Sequence, residues 1–348
     1  MLFRSKELIT IDPRREEAVQ RDWISSPDSP VDELIENLER SSAEIVHPQH
    51  NFGFMGLPQL AQVVRRLSQT RPVVVTLHRT EDLESADLVV RLRDIAADLA
   101  LADRVVVHQQ DDANRLRSLG LDRVVVIPIG STDAYDISAI EARQALGLLP
   151  NLDVPVIATY GFLLPHKGTL ELIRAAAQLR DRGVEVAVLG VCALHPDPTS
   201  VQYLRLCEAE IQRLDLVDSV RLVTDFLKPE VSRLLLATAD IIALPYHETS
   251  ESSSASLRFV LPIGRPVLAT DIAIFADARQ SLVLVEPPPT ADRLADLLAD
   301  LVKDNDPNSR YAQLVRHLRS RSSLEKSVAL HTAMFQDVLE SAAPRPSH

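Results

Sequence analysis

Short runs of Val and Ile recur along the chain, each closed by a polar turn and followed by a longer segment of helical spacing. Continuous apolar runs of this kind predict strands of a parallel sheet covered on both faces, since a half-exposed strand would alternate. The first half supplies EIVHPQ at 44–49, PVVVTLH at 72–78, RVVVHQ at 104–109 and VVVIP at 124–128. The second supplies VPVIATYGF at 154–162, EVAVLGV at 185–191, VRLVTDF at 220–226, IIALPY at 241–246, PVLATD at 266–271 and LVLVEP at 282–287. Segments such as LELIRAAAQLRDRG and PEVSRLLLATAD fill the gaps with helices, so the pattern predicts an α/β protein of doubly wound sheets.

A chain of 348 residues fits two domains of ordinary size. Residues 130–153 carry no strand and end in the turn cluster of Pro150, Asn151 and Asp153, which places a first domain over 1–150 and a second over 151–323. A helix over 324–341 follows, with Val328, Met334, Phe335 and Val338 as its apolar stripe, and residues 342–348 are expected to be a disordered tail. The first domain opens poorly: residues 1–43 offer only LITI as a strand before a Pro, Ser and Asp-rich stretch, so its sheet is expected to be incomplete at the N-terminus.

Charge narrows the function classes. With 37 basic against 49 acidic residues and a net charge of -12, the chain does not present a general surface for nucleic acid or anionic membranes. Arg65, Arg66 and Arg71 form a local basic excess on an amphipathic helix, read as a solvated face with peripheral membrane contact as the alternative. Cys192 and Cys207 lack zinc-type spacing, no secretory segment opens the chain, and no run of 18 apolar residues exists, so a cytoplasmic protein, at most peripheral to a membrane, is expected. Aromatic residues at 4% argue against stacking platforms for single-stranded nucleic acid.

Ligands of an open parallel sheet bind outside the carboxyl ends of its strands. His47, His50 and Asn51 follow one strand, and His78 follows the next. LLPHKGT follows the strand at 154–162, where Lys167, Gly168 and Thr169 open a helix whose first amides and a lysine would converge on an anion. Ser252, Ser253 and Ser254 open a second helix in the same topological position, and capping alone would explain one serine rather than three. Two such helix starts beside a lysine suit a diphosphate.

The order TLH, VIPIG, GFLLPHKG and LPYHETSESSSASLRFVLPIGRPVLAT resembles the family 4 glycosyltransferases of the GT-B fold, over about residues 44 to 330. The resemblance implies two Rossmann-like domains facing across a cleft, with the last helix packed back on the first domain. It implies a retaining, metal-independent hexosyltransferase that moves sugar from a nucleotide donor, held mainly by the second domain, to a saccharide or lipid-linked acceptor in cell-envelope or exopolysaccharide synthesis. By the resemblance, Lys167 pairs with the donor diphosphate and Glu251 grips hydroxyls of the donor sugar. Ser252, Ser253 and Ser254 replace a glycine-containing loop, Gly161 and Gly168 belong to the donor site, and His78 reaches the donor sugar. His50 and Asn51 join His78 on the acceptor side.

Three departures stand out. Phe259 occupies the place of the second family glutamate, the usual ribose contact; Phe162 replaces an arginine; and Ile129 replaces a histidine. Arg258 is the expected substitute cation, reaching back from its helix toward the phosphates beside Lys167. A noncatalytic GT-B partner subunit is the rival reading, and a sugar-nucleotide epimerase would require an acid and base pair that is not identifiable. His195, His247 and Glu248 read as loop residues rather than a metal set.

Overall fold

Each of the apolar runs contributes to a parallel sheet. The computed structural model describes residues 8–9, 19–20, 28–52, 55–84, 89–132, 134–147, 154–249, 251–304 and 324–341. The turn cluster at 150–153 and the tail at 342–348 lie outside them. The chain forms two compact units, one of Met1–Pro128, Ser250–Ser253 and Glu325–His348, the other of Ile129–Thr249 and Ser254–Leu324. The division falls at Pro128 rather than at 150, and helix Ala139–Ala145 belongs to the second unit. Its anchor explains this: Arg143 is buried and donates to the Thr238 carbonyl and the Asp240 carboxylate of that unit.

The first unit carries a four-stranded parallel sheet of β1 (Gln49–His50), β2 (Val74–Leu77), β3 (Arg104–Val107) and β4 (Val124–Val126), in that spatial order. An added bridge joins Val46 to Val73. Helices α1 (Asp32–Arg40) and α2 (Leu57–Leu67) bury Leu34, Ile35, Leu60 and Val64 in the same core as Val73 and Val75. Helix α1 was not expected from the sequence; its Leu34, Ile35 and Leu38 fall at helical spacing within an otherwise charged run. Within the LITI run, the described residues Leu8–Ile9 pair antiparallel with Val19–Gln20.

Helix α11 (Leu324–Ser341) closes the other face of this sheet, where Met334 and Val338 are buried with Val74, Val106 and Ile127. Val328 is 53% exposed and is not part of the stripe, which instead runs through His331, Met334, Phe335 and Val338. An ion pair between Arg104 and Asp337 and a bond from Ser327 Oγ to the Pro128 carbonyl, 3.1 Å, hold the helix in register. The basic excess is answered locally: Arg65 pairs with Asp98 at 2.8 Å, Arg66 with Glu39 at 3.0 Å, and Arg71 donates to the carbonyls of Glu39, Ser41 and Ala43.

The second unit carries six parallel strands: β5 (Val156–Phe162), β6 (Ala187–Ala193), β7 (Val220–Val223), β8 (Ile241–Leu244), β9 (Val267–Thr270) and β10 (Val283–Val285). Their spatial order is β7-β6-β5-β8-β9-β10, so the winding reverses between β5 and β8. Helices α6 (Thr169–Asp181) and α10 (Ala291–Lys303) cover one face with Leu172, Ile173, Leu294 and Leu298. Helices α8 (Pro229–Ala237) and α9 (Ala255–Val260) cover the other with Leu236, Leu257 and Val260.

Candidate active site

The reversal between β5 and β8 is where an open sheet parts its loops and leaves a crevice at the carboxyl ends. Two segments meet there. Gly161, at φ 135°, stands where a Cβ would come within 2.9 Å of Ser256 Oγ. After β5 the chain makes a short turn over Pro165–Lys167, and Gly168, at φ 69°, starts helix α6. Gly168 has no side chain with which to cap this helix, and in its first turn the Tyr203 hydroxyl accepts from the Leu170 amide at 3.0 Å. The amide of His247, after β8, donates to the His166 carbonyl at 2.8 Å and ties the two segments together.

Lys167 is held over the ring of Tyr246, its Nζ 4.0 Å from the centroid. Tyr246 is fully buried, so the ring is a fixed platform for a cation beside the start of α6. Lys167, Gly168 and Gly161 are thus brought to one end of the sheet.

Ser254 behaves as a helix cap: it is buried, and its hydroxyl accepts from the Leu257 amide at 3.1 Å. Arg258 departs from expectation. It is 6% exposed and ion-paired with Asp277 of the same unit, so its charge is already answered there, and burial lowers its pKa to about 10. The physical reason is its place on α9: the residue lies on the face that also buries Leu257. Phe259 stacks on Tyr160 with centroids 4.4 Å apart, and the Arg233 guanidinium lies 5.2 Å from the Phe259 centroid. Phe162 meets His195 edge-on at 5.0 Å. His247 Nε2 lies 3.4 Å from a Glu171 oxygen.

In the first unit, His78 follows β2 and Glu251–Ser253 lies beside it. The Ser252 amide donates to the His78 carbonyl at 3.4 Å, and Ser252 Oγ donates to Asp112 Oδ1 at 3.0 Å. Asp112 is buried and also receives the Thr80 hydroxyl, while Gln109 donates to the Ser252 carbonyl. The Ser253 hydroxyl is buried with no partner among the described residues. Glu251 is exposed, and its charge raises the pKa of Arg79 against a larger lowering by burial.

His78 Nε2 lies 3.0 Å from Gln49 Oε1, and its Nδ1 lies 3.0 Å from His108 Nε2. Burial, with His108 and His50 adding repulsion, lowers the His78 pKa to about 4. His50 is buried with Nε2 donating to the Met55 carbonyl at 2.9 Å, and burial lowers its pKa to about 4 as well. Asn51 is exposed, and its carbonyl accepts from the Met55 amide at 3.2 Å. His50 and Asn51 therefore fasten the loop after β1.

Sequence reasoning passed over His108, Gln49, Asp112 and Tyr246. A signal for His108 was present: it follows RVVV as His78 follows VVTL, and β2 and β3 pair in a register that sets these two histidines side by side. Among the described residues no group of three or more His, Cys, Asp or Glu could hold a metal ion. Cys192 and Cys207 are both buried, and burial pushes both thiols up to about 12. No described helix is long and apolar enough to cross a membrane.

Residues 143–317 match the family description of glycosyl transferases, group 1, which spans half of the chain. The chain belongs to the group 1 glycosyl transferases. The match covers β5 through β10 and includes the Lys167 turn, Ser254 and Arg258.

Among solved structures, a glycosyltransferase from Rickettsia africae ESF-5 is similar with a TM-score of 0.70 and 16% identity, over 89% of this chain and 80% of that one. Sucrose-phosphate synthase from Thermosynechococcus elongatus is similar with a TM-score of 0.71 and 18% identity, over 89% and 78%. Anabaena HepE in complex with UDP-glucose gives 0.68 and 18%, over 89% and 82%. These likenesses establish the fold as GT-B, with two Rossmann-like units. No curated protein matches the chain in sequence.

Proposed function

We propose that this group 1 glycosyl transferase moves a hexose, with retention of configuration and in the manner of family 4, from a nucleotide-sugar donor to a saccharide or lipid-linked acceptor. Cytoplasmic assembly of an envelope or extracellular polysaccharide, at most peripheral to the membrane, is the setting this reading favours. The observation that carries it is the Lys167 turn, in which a cation fixed over Tyr246 stands at the glycine-led start of α6. Departure of a nucleoside diphosphate leaves negative charge on the leaving group, and a preorganised cation with helix amides lowers that barrier without reorganising. In this reading Lys167, Gly168 and the amides of α6 take the diphosphate, with Gly161 and the Ser252 to Ser254 loop beside it. Glu251 holds donor hydroxyls, His78 meets the donor sugar, and His50 and Asn51 shape the acceptor side.

The same electrostatics leaves a metal ion unnecessary, because Lys167 and the amide dipoles supply the positive field. Two of the similar proteins support the reading by what they were solved with: HepE with UDP-glucose for the donor class, and a UDP-forming trehalose-phosphate synthase from Burkholderia xenovorans with glucose-6-phosphate for a saccharide acceptor.

A second reading, a noncatalytic partner subunit, is favoured by Arg258: its charge answers Asp277, so it does not supplement Lys167 as the missing arginine would. Calorimetry with UDP, GDP and ADP, followed by NMR of the anomeric configuration during turnover of the corresponding glucose donors, separates the two. Binding with retained configuration, unaffected by a chelator, supports the enzyme. Binding without turnover supports the subunit, and an inverted product or no nucleotide binding overturns the proposal.

A further inference from the structure

A backbone carbonyl and two facing rings set an order of protons at His78. His108 is buried, and its Nδ1 lies 3.0 Å from the Ile127 carbonyl oxygen. A carbonyl only accepts, so a His108 ring with a single proton carries it on Nδ1, and its Nε2 is then an acceptor. That acceptor lies 3.0 Å from His78 Nδ1, which must then carry the proton of its own neutral ring. The remaining nitrogen, His78 Nε2, is left with a lone pair. The half-buried His78 is held neutral by burial and by the facing rings of His108 and His50. Its third neighbour, Gln49, is exposed, and its amide can be turned so that the NH2 group meets Nε2 and the oxygen meets His47 Nε2, now 3.0 Å from the other end of that amide.

We propose that His108 is a positioning residue that holds His78 in the Nδ1-protonated form, so that His78 Nε2 accepts a hydrogen bond from a hydroxyl of the donor sugar, which displaces the Gln49 side chain. The inference rests on the proposed role of His78 at the donor sugar. A chain of fixed donors from the backbone through two rings gives the site a polarity: at this point it takes a hydroxyl as donor. An aldehyde, ketone or ether oxygen, which can only accept, is refused there.

Two substitutions separate positioning from plain support. His108→Asn places an amide NH2 where Nδ1 stood and keeps the bond to Ile127, yet is too short to meet His78. His108→Gln gives up that bond and restores an acceptor near the His78 Nδ1 proton. Long-range proton–nitrogen spectra of histidine-labelled protein read the tautomers directly, and calorimetry with UDP-glucose and UDP reads the sugar contact.

In the unsubstituted chain, His78 and His108 should both appear with Nδ1 protonated at neutral pH. His108→Asn should release His78 into a mixture of tautomers. It should weaken UDP-glucose about tenfold while leaving UDP unchanged, the effect of one lost hydrogen bond. His108→Gln should recover part of both.

A merely structural His108 gives the opposite order, with Asn tolerated and Gln harmful, and overturns the proposal. So does His78 protonated at Nε2, or an undisturbed His78 tautomer in His108→Asn. If His78→Gln leaves UDP-glucose affinity unchanged, or the sugar adds nothing to UDP binding, the sugar-contact reading fails and the tautomer spectra alone decide the role of His108.

Discussion

A Cβ built on Gly168 would stand 1.9 Å from the carbonyl oxygen of Pro245 and 2.9 Å from its carbon. Backbone meets backbone here, where the turn after β5 passes the end of β8, and Gly168 also holds φ 69°, a conformation that costs other residues. Gly168→Ala therefore carries two penalties, a strained φ and a clash that no rotamer relieves. We expect a loss of at least about 2 kcal/mol in the stability of the second unit, seen as a lowered melting temperature. Nucleotide affinity should fall beyond what the melting shift explains, because the first turn of α6 is displaced. A melting curve and UDP affinity both unchanged would contradict this account.

Arg258 and Asp277 form a pair that is nearly closed to solvent on the arginine side. Removing one member of a buried pair leaves the other uncompensated, at a cost of about 3–5 kcal/mol. Arg258→Ala should therefore lower stability first and affect nucleotide binding only as a consequence. The double substitution Arg258→Met with Asp277→Leu should restore most of the melting temperature. If the single substitution keeps the melting temperature and loses UDP affinity, Arg258 is a phosphate ligand after all.

The strands and their parallel order were legible because burial on both faces forces continuous Val and Ile runs, as in VVVTL and IIALP. The Lys167 turn was legible because its chemistry is local, a glycine and a lysine at a helix start. Arg258 was misread because one turn of helix decides between the surface and the core, and its partner Asp277 is a non-local carboxylate. His108 was missed because a histidine ending a buried strand looks the same whether it fills space or orients a neighbour. Only the register of β2 against β3 shows that it meets His78. Helix α1 was hidden by composition: a nine-residue run with three buried apolar side chains reads as a charged loop unless their spacing is weighed.

Tyr246 offers a test of the platform beneath Lys167. Its hydroxyl is buried without a partner among the described residues, so Tyr246→Phe loses no hydrogen bond and should leave stability unchanged or slightly raised. It keeps the ring, so UDP affinity should stay within about twofold. Lys167→Ala should weaken UDP by about tenfold to a hundredfold, the range of one charge-assisted bond to phosphate. Tyr246→Leu should lie between the two, because it removes the platform and leaves the cation. A Tyr246→Phe effect as large as that of Lys167→Ala would show that the hydroxyl itself touches the ligand.

The histidines of the first unit make its stability depend on pH in a defined window. His47, His50 and His78 each have a pKa lowered from 6.5 to about 4, with burial the largest cause in all three. The folded unit thus binds these protons less readily than the unfolded chain. Stability should be full above about pH 6.5 and fall as the pH drops toward 4, where the folded rings begin to take up protons. His47 feels His331 of α11 and His78, so the cost of charging it includes both neighbours. Hydrogen exchange of the β2 amides, corrected for intrinsic pH dependence, reports opening of this unit directly. His47→Gln keeps a polar group near Thr76 and cannot be protonated, so it should flatten the slope between pH 6.5 and 4. A slope unchanged in that variant would remove His47 from the account and leave the pH dependence to His50 and His78.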